Sequence, residues 1–432
     1  MPTQSKHPET IVLHAGYRSD PATNAVAVPI YQTTSYQFNS AEHAANLFGL
    51  RELGNIYTRI MNPTNAVLEE RVAALEGGVA ALALASGQAA SLFAINNICQ
   101  AGDNFVASTD LYGGTWNLFL NTMHKTMGME VRFVDPADPE NFRRATDART
   151  RCYYAETLPN PKLEVFPIGE VARIGRELGV PLIVDNTAAP VICRPLEHGA
   201  AVVMHSTTKY IGGHGTSIGG IVVDGGNFDW EKHADRFPLL NRPDPSYHGA
   251  VWTQAAKPLG PIAYILKMRV TLLRDIGAAA SPFNAFLHVQ GLETLPLRMR
   301  VHCANAMAVV RYLQRHPKIA KVIHPAAMEG EARRRADAYL KGGYGALVGF
   351  ELKSGGREAG RRFIDALKMF YHVANIGDAR SLAIHPASTT HSQLSPEEQL
   401  QTGVTDGYVR LSIGLEHEED IIADLDQALA AA

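Results

Sequence analysis

Lys209 stands in the stretch HSTTKYIGGHG, with hydroxyl side chains before it and glycines after it. The apolar run AAVVM just upstream reads as a buried strand, so the lysine falls at a strand's carboxyl end, where open α/β sheets bind ligands. Desolvation and neighbouring positive charge turn a lysine there into a neutral amine, the form that makes Schiff bases with carbonyl compounds. Ser206 and Thr208 are two positions apart and face one way in an extended segment, where both can donate to a phosphate. The glycines around Lys209 let the backbone pass close to a bulky cofactor.

Five further positions carry compatible chemistry. Asp185 closes the apolar stretch VPLIVDNT, 24 positions before Lys209. A carboxylate so placed needs a cationic partner. The pyridinium nitrogen of pyridoxal phosphate (PLP) is one, and an acid at that nitrogen makes the ring a better electron sink. Ser86-Gly87-Gln88, in ASGQAAS, opens a helix after an apolar run, and exposed N–H groups at a helix start hold phosphate. Tyr112, in DLYGGT, can stack on a flat ring. Tyr57 and Arg59, in IYTRIMNPT, make a phosphate-binding pair far from the other candidates, which a site shared between subunits explains. Arg410, in YVRLSIGLE, suits a bidentate clamp on an amino-acid carboxylate. Taken singly, each has an ordinary explanation: a turn lysine, a capping Asp or Ser, a turn tyrosine, a surface ion pair, a structural salt bridge. Their joint appearance in this order points to a PLP-dependent enzyme.

The elements that must position them follow from periodicity. NAVLEERVAALEGG carries Val67, Leu68, Val72 and Leu75 on one helical face and stops at Gly77-Gly78. After it, NFVAST, VRFVD, CYYAET, VPLIVDNT, AAVVMHSTT and GGIVVDGG read as strands, with SLFAINNIC and GEVARIGRELG as helices among them. That alternation predicts a mostly parallel sheet covered by helices. Residues 1–63 read as an arm that packs on another subunit, 64–289 as a large α/β domain, and 290–432 as a smaller α+β domain. The segment from about 227 to 261, rich in Asp, Pro and aromatic residues, reads as a long surface insertion.

Bulk properties narrow the class. A formal net charge of −3 provides no global case for a nucleic-acid or anionic-membrane partner. Cys99, Cys152, Cys193 and Cys303 have no metal-binding or disulfide-framework spacing, so no metal site is expected and buried thiols in a reducing cytoplasm are. No apolar run reaches membrane-span length, and MPTQSKHPET lacks the pattern of a signal peptide.

The chain resembles the Cys/Met-metabolism enzymes that use PLP, nearly end to end from IVLHAGYRSDP to VRLSIGLE. The resemblance is carried by ASGQAA, NPTNAVLEERVAALEGG, ETLPNPKLEV, DNTAAP, HSTTKYIGGHGTSIGG, SPFNAFLHVQGLETLPLRM and GDARSLAIHPASTTH. It implies the α/β fold of PLP-dependent transferases (fold type I, aspartate aminotransferase-like), with a large mostly parallel mixed sheet and a smaller C-terminal α+β domain. It also implies that Lys209 is the Schiff-base lysine and proton shuttle, that Asp185 pairs the ring nitrogen and that Tyr112 stacks on the ring. Ser86, Gly87, Gln88, Ser206 and Thr208 would hold the phosphate, joined by Tyr57 and Arg59 of a neighbouring subunit. Arg410 would bind the substrate carboxylate, with Asn160 and Asn375 nearby, and Tyr57 or Tyr112 would assist proton transfer.

Within the family, the resemblance is strongest to the sulfhydrylases that act on O-acetylhomoserine with sulfide or a small thiol. Those are soluble cytoplasmic enzymes in this reading, expected as homotetramers of dimers with shared sites. Methionine γ-lyases typically have Met where this chain has Gln88 and a cysteine where it has Gly114, which counts against a dedicated lyase. Methionine γ-lyase, cystathionine γ-synthase or O-succinylhomoserine sulfhydrylase chemistry stays as the alternative with the same cofactor. A nucleotide-binding oxidoreductase would need a GxGxxG between first strand and helix, and none is in place. A non-catalytic protein of this fold would be expected to lose Lys209 or Asp185.

Overall fold

Strands and helices alternate from residue 63 onward, as the apolar rhythm predicts, in a computed structural model that describes residues 5–389 and 403–432. The first four residues of the expected arm and positions 390–402 of the expected C-terminal domain, with the end of the GDARSLAIHPASTTH stretch, lie outside the described residues.

The large sheet has seven strands: β1 Ala80–Leu84, β2 Asn104–Ser108, β3 Glu130–Val134, β4 Thr150–Glu156, β5 Leu182–Asp185, β6 Val202–His205 and β7 Gly220–Asp224. Their spatial order is β1-β7-β6-β5-β4-β2-β3. All neighbours run parallel except β7, which opposes both β1 and β6. Six of these strands match the predicted runs. β1 comes from AALAL, which has none of the β-branched or aromatic residues that signal a strand; its pairing with β7 makes it one.

Pleat alternation feeds two cores. Ala155, Val184, Val203 and Val223 face one side, where Val67, Leu68 and Val72 of the helix Pro63–Glu76 pack. Tyr154, Ile183, Met204 and Val222 face the other, against Phe93 of the helix Gly87–Asn96 and Tyr264. Parallel strands are thus covered on both faces, as their apolar composition requires.

The second sheet has order β10-β11-β12-β9-β8, with β8 Ile319–Ile323, β9 Leu347–Leu352, β10 Tyr371–His372, β11 Leu382–Ile384 and β12 Tyr408–Ser412. Only its short β10–β11 pair is parallel. Its inner residues Val348, Phe350, Val409 and Leu411 belong to the same core as the first face of the large sheet. The position expected as a domain boundary, 289/290, falls inside the helix Pro282–Glu293. The helix Leu295–Arg315 follows directly and joins the two sheets.

The stretch 227–261 lies largely at the surface, anchored by a few buried side chains. It folds into short helical turns whose Trp230, Phe237, Leu240 and Trp252 are buried in the second core. Trp230 stacks on Tyr264, ring centroids 5.3 Å apart. Asp and Pro recur there, but the aromatic side chains decide where the segment is anchored. The arm carries two short helices, Pro8–His14 and Ala41–Phe48. No helix among the described residues is long and apolar enough to cross a membrane.

Candidate active site

A cavity of about 300 Å³ opens at the carboxyl ends of β4, β5 and β6 and is closed on its far side by residues of the second sheet domain. Such strand ends are where open α/β sheets bind ligands.

Lys209 lies four residues past the end of β6 and is partly buried. Its Nζ donates to Asn375 Oδ1 at 2.5 Å. Burial, and then the positive charge of Arg410, lowers the lysine's pKa from its ordinary 10.5. This favours the neutral amine, the nucleophilic form. Arg410 sits within β12, 6% exposed, and donates from Nη2 to the backbone oxygen of Asn375 at 2.8 Å. Asn375 therefore connects the amine and the guanidinium through its side chain and its backbone. Arg410 Nε has no partner among the described residues. Among the described residues no carboxylate pairs with Arg410, which lines the cavity where an anionic ligand could meet it.

Asp185 lines the cavity at the end of β5, its carboxylate accepting the Thr187 N–H at 2.9 Å. Burial raises its pKa, opposed by the Thr187 bonds and by the charge of His205. Glu156, its register partner on β4, also lines the cavity and accepts the Tyr112 N–H at 2.6 Å. Burial and then the Asp185 charge push Glu156 well above the usual carboxylate range. Tyr112 itself precedes the short helix Gly113–Asn117 and is 54% exposed, its ring at the cavity mouth.

The phosphate-ready end lies at the helix Gly87–Asn96. Ser86 caps it, its oxygen accepting the Ala89 N–H at 3.1 Å, so the ordinary capping explanation holds alongside its place in the cavity wall. The N–H groups of Gly87 and Gln88, in the first turn, have no acceptor within the helix. A Cβ on Gly87 would stand 2.6 Å from Ser206 Cβ, so only glycine leaves the space between helix start and Ser206 open. Thr208 Oγ1 accepts the Gly219 N–H at 3.1 Å. The Ser206 N–H donates to Thr187 Oγ1 at 2.7 Å, which ties the phosphate end to the strand end bearing Asp185.

These features fit PLP. The cavity presents an amine of lowered pKa, a carboxylate for a ring nitrogen and a glycine cradle at a helix start. Asn160 lines it too, with a buried Oδ1 that has no partner among the described residues. Tyr57 and Arg59 are the two predicted residues that do not join the cavity within this chain. Arg59 lies over the Tyr57 ring, 5.3 Å from its centroid, and donates to the Arg274 backbone oxygen. Glu156 and Thr187 are the site residues that the sequence reading assigned no role. Their signal was present, in ETLPNPKLEV and DNTAAP: Glu156 is the polar residue that ends β4, and Thr187 lies two positions beyond β5.

Comparison with known proteins agrees with this site. The model of the family "Cys/Met metabolism PLP-dependent enzyme" matches residues 9–430. An O-acetyl-L-homoserine sulfhydrylase of Leptospira meyeri is 56% identical, covering 99% of this chain and 98% of its own. A homocysteine synthase of Schizosaccharomyces pombe is 48% identical over 100% of both chains. Among solved structures, a Campylobacter jejuni chain described as an O-acetylhomoserine (thiol)-lyase superposes with a TM-score of 0.93 at 40% identity, covering 98% of this chain and 100% of its own. That structure carries an N'-pyridoxyl-lysine-5'-monophosphate.

Proposed function

The chain belongs to the PLP-dependent enzymes of Cys/Met metabolism, and within that family we propose that it replaces the acetate of O-acetyl-L-homoserine with sulfide or a small thiol such as methanethiol. The products are homocysteine or methionine, plus acetate. The observation that carries the reading is the Lys209–Asn375–Arg410 arrangement, an amine of lowered pKa beside a guanidinium free for a carboxylate. The similarity to the O-acetyl-L-homoserine sulfhydrylase of Leptospira meyeri supports the choice of acyl homoserine.

When bound, the cofactor supplies an aldehyde for amine linkage and a ring that accepts the charge left by a departing proton. Lys209 Nζ holds that aldehyde. Asp185 pairs the ring nitrogen and Tyr112 stacks on the ring. Gly87, Gln88, Ser206 and Thr208 hold the phosphate with Ser86 shaping the helix start, and Tyr57 and Arg59 reach it from a second copy of the chain. Arg410 grips the substrate α-carboxylate beside Asn160 and Asn375, which turns the substrate's Cα toward Lys209. Lys209 Nζ, freed from the aldehyde when the substrate amine replaces it there, would take the Cα proton and serve again at Cβ, where proton loss accompanies departure of acetate from Cγ. Tyr112 and Tyr57 are the groups for proton transfer near Cγ. The working unit in this reading is a cytoplasmic homotetramer of two dimers, supported by the position of Tyr57 and Arg59 outside their own chain's cavity.

The test is a product assay with O-acetylhomoserine, with and without sulfide. Homocysteine formed only with sulfide, with little oxoacid otherwise, is the expected result. Ammonia and 2-oxobutyrate at comparable rates without thiol would move the assignment to a γ-lyase. Lys209→Ala is expected to lose covalent cofactor attachment and nearly all turnover.

A further inference from the structure

Glu76 is an acid in a costly place. It is the last residue of the helix Pro63–Glu76, where the helix dipole is negative, and it is 1% exposed. A carboxylate there needs strong donors. Two are present on its Oε1: His205 Nε2 at 2.7 Å and Asn186 Nδ2 at 3.0 Å. His205 is 1% exposed and Asn186 fully buried.

The two donors are not arbitrary. Asn186 follows Asp185 directly at the end of β5, and His205 ends β6, the strand that leads into Lys209. Asp185 is the register partner of Met204, and both line the cavity. Pleat alternation therefore turns Asn186 and His205 to the opposite face, where Glu76 waits. One carboxylate clamps the ends of two adjacent strands from behind, and those ends carry the two residues that face the cofactor. Asn186 is fixed a second time, its Oδ1 accepting the Thr157 hydroxyl at 2.8 Å.

Charge follows the same line. Among the described residues, His205 is the charged group whose field lowers the pKa of Asp185. Glu76 is the carboxylate bonded to His205, at 2.7 Å. The other titratable groups around the pair are Glu156 and Tyr154 on β4 and Cys193 beyond β5, none of them a cation.

We propose that Glu76 and His205 form a buried positioning dyad that holds Asp185 in place for the cofactor's ring nitrogen. The dyad acts through Asp185 and touches neither cofactor nor substrate. The inference rests on the assignment of Asp185 proposed above.

The experiment measures PLP dissociation from the holoenzyme, with the absorption spectrum of bound cofactor and its pH midpoint, in Glu76→Gln, His205→Gln, Asp185→Asn and the Glu76→Gln/Asp185→Asn double variant. Both glutamine variants keep a hydrogen bond and lose the charge. Each is expected to weaken PLP about tenfold and to shift the bound spectrum's midpoint. In the Asp185→Asn background, Glu76→Gln is expected to add less than about twofold, because its route is already cut. Equal losses in both backgrounds, or parental affinity and spectra in both glutamine variants, would overturn the dyad. Parental PLP affinity in Asp185→Asn alone would instead remove the assignment of Asp185, and the dyad with it. If Glu76→Gln does not fold by circular dichroism, His205→Gln carries the same cycle. Failure of both to fold would leave the pair a purely structural role and overturn the inference.

Discussion

The amide of Tyr112 donates to Glu156 Oε1 at 2.6 Å, so the end of β4 holds the loop that carries the Tyr112 ring. Glu156→Ala would leave a donor without its acceptor, a loss of about 1–3 kcal/mol. We expect a lower denaturation midpoint and weaker PLP binding in Glu156→Ala. Glu156→Gln keeps an acceptor and is expected to stay near the parent in both. Thermal melts and cofactor titrations of the two variants check this.

Gly87→Ala tests the phosphate cradle. In a helix interior alanine would be favoured over glycine by about 1 kcal/mol. Here its Cβ would meet Ser206 Cβ at 2.6 Å and backbone beyond it, a clash that outweighs that gain. Overpacking of this kind costs about 1–3 kcal/mol. The expected result is PLP affinity lower by roughly tenfold or more, read by fluorescence titration, with secondary structure retained.

Arg410→Lys keeps the charge and loses the planar fork. A bidentate grip on a carboxylate is not reproduced by an ammonium. The KM for O-acetylhomoserine is expected to rise by roughly a hundredfold, and kcat to fall far less, since the loss is of binding common to ground and transition states. Steady-state kinetics separates the two. A fall in kcat alone would remove Arg410 from carboxylate binding.

Acid stability follows from three buried histidines. Burial lowers His288, His302 and His324 from the ordinary 6.5 to about 4 each. Between those values the unfolded chain binds a proton that the folded chain does not. Stability is therefore fully present above pH 6.5 and lost as pH falls toward about 4. Urea midpoints are expected to drop across that window, and His302→Asn to flatten the drop. A midpoint constant from pH 7 to 4.5 would contradict it.

Much of this site is legible along the chain because its chemistry sits at strand ends, and strand ends show as a polar residue closing an apolar run. Asp185 after VPLIV and Lys209 after AAVVM are of that kind. Glu156 closes CYYAE in the same way but drew no role, because its partner, the Tyr112 amide, lies 44 residues away and depends on the β2–β4 pairing. Thr187 likewise acts on Ser206 across two strands. β1 was missed because alanine and leucine carry little strand preference of their own. The anchoring of the 227–261 stretch was not legible, because Trp230 and Trp252 need partners that only the folded sheet presents.

The reversed strand β7 has a consequence for how the protein comes into being. β1 is an edge strand, and its neighbour in the sheet is β7. Gly220, at the start of β7, runs so close to Ser86 that a Cβ there would stand 2.1 Å from the Ser86 backbone oxygen. A nascent chain emerges N-terminus first, so β1 and the helix start at Gly87 wait without their partner until residue 224 has been made. Long-range closures of this kind are slow steps in folding. The helix start that lines the pocket is thus seated only by the last strand of its sheet to be synthesised, and Asn375 and Arg410, which line the far side of the pocket, come later still.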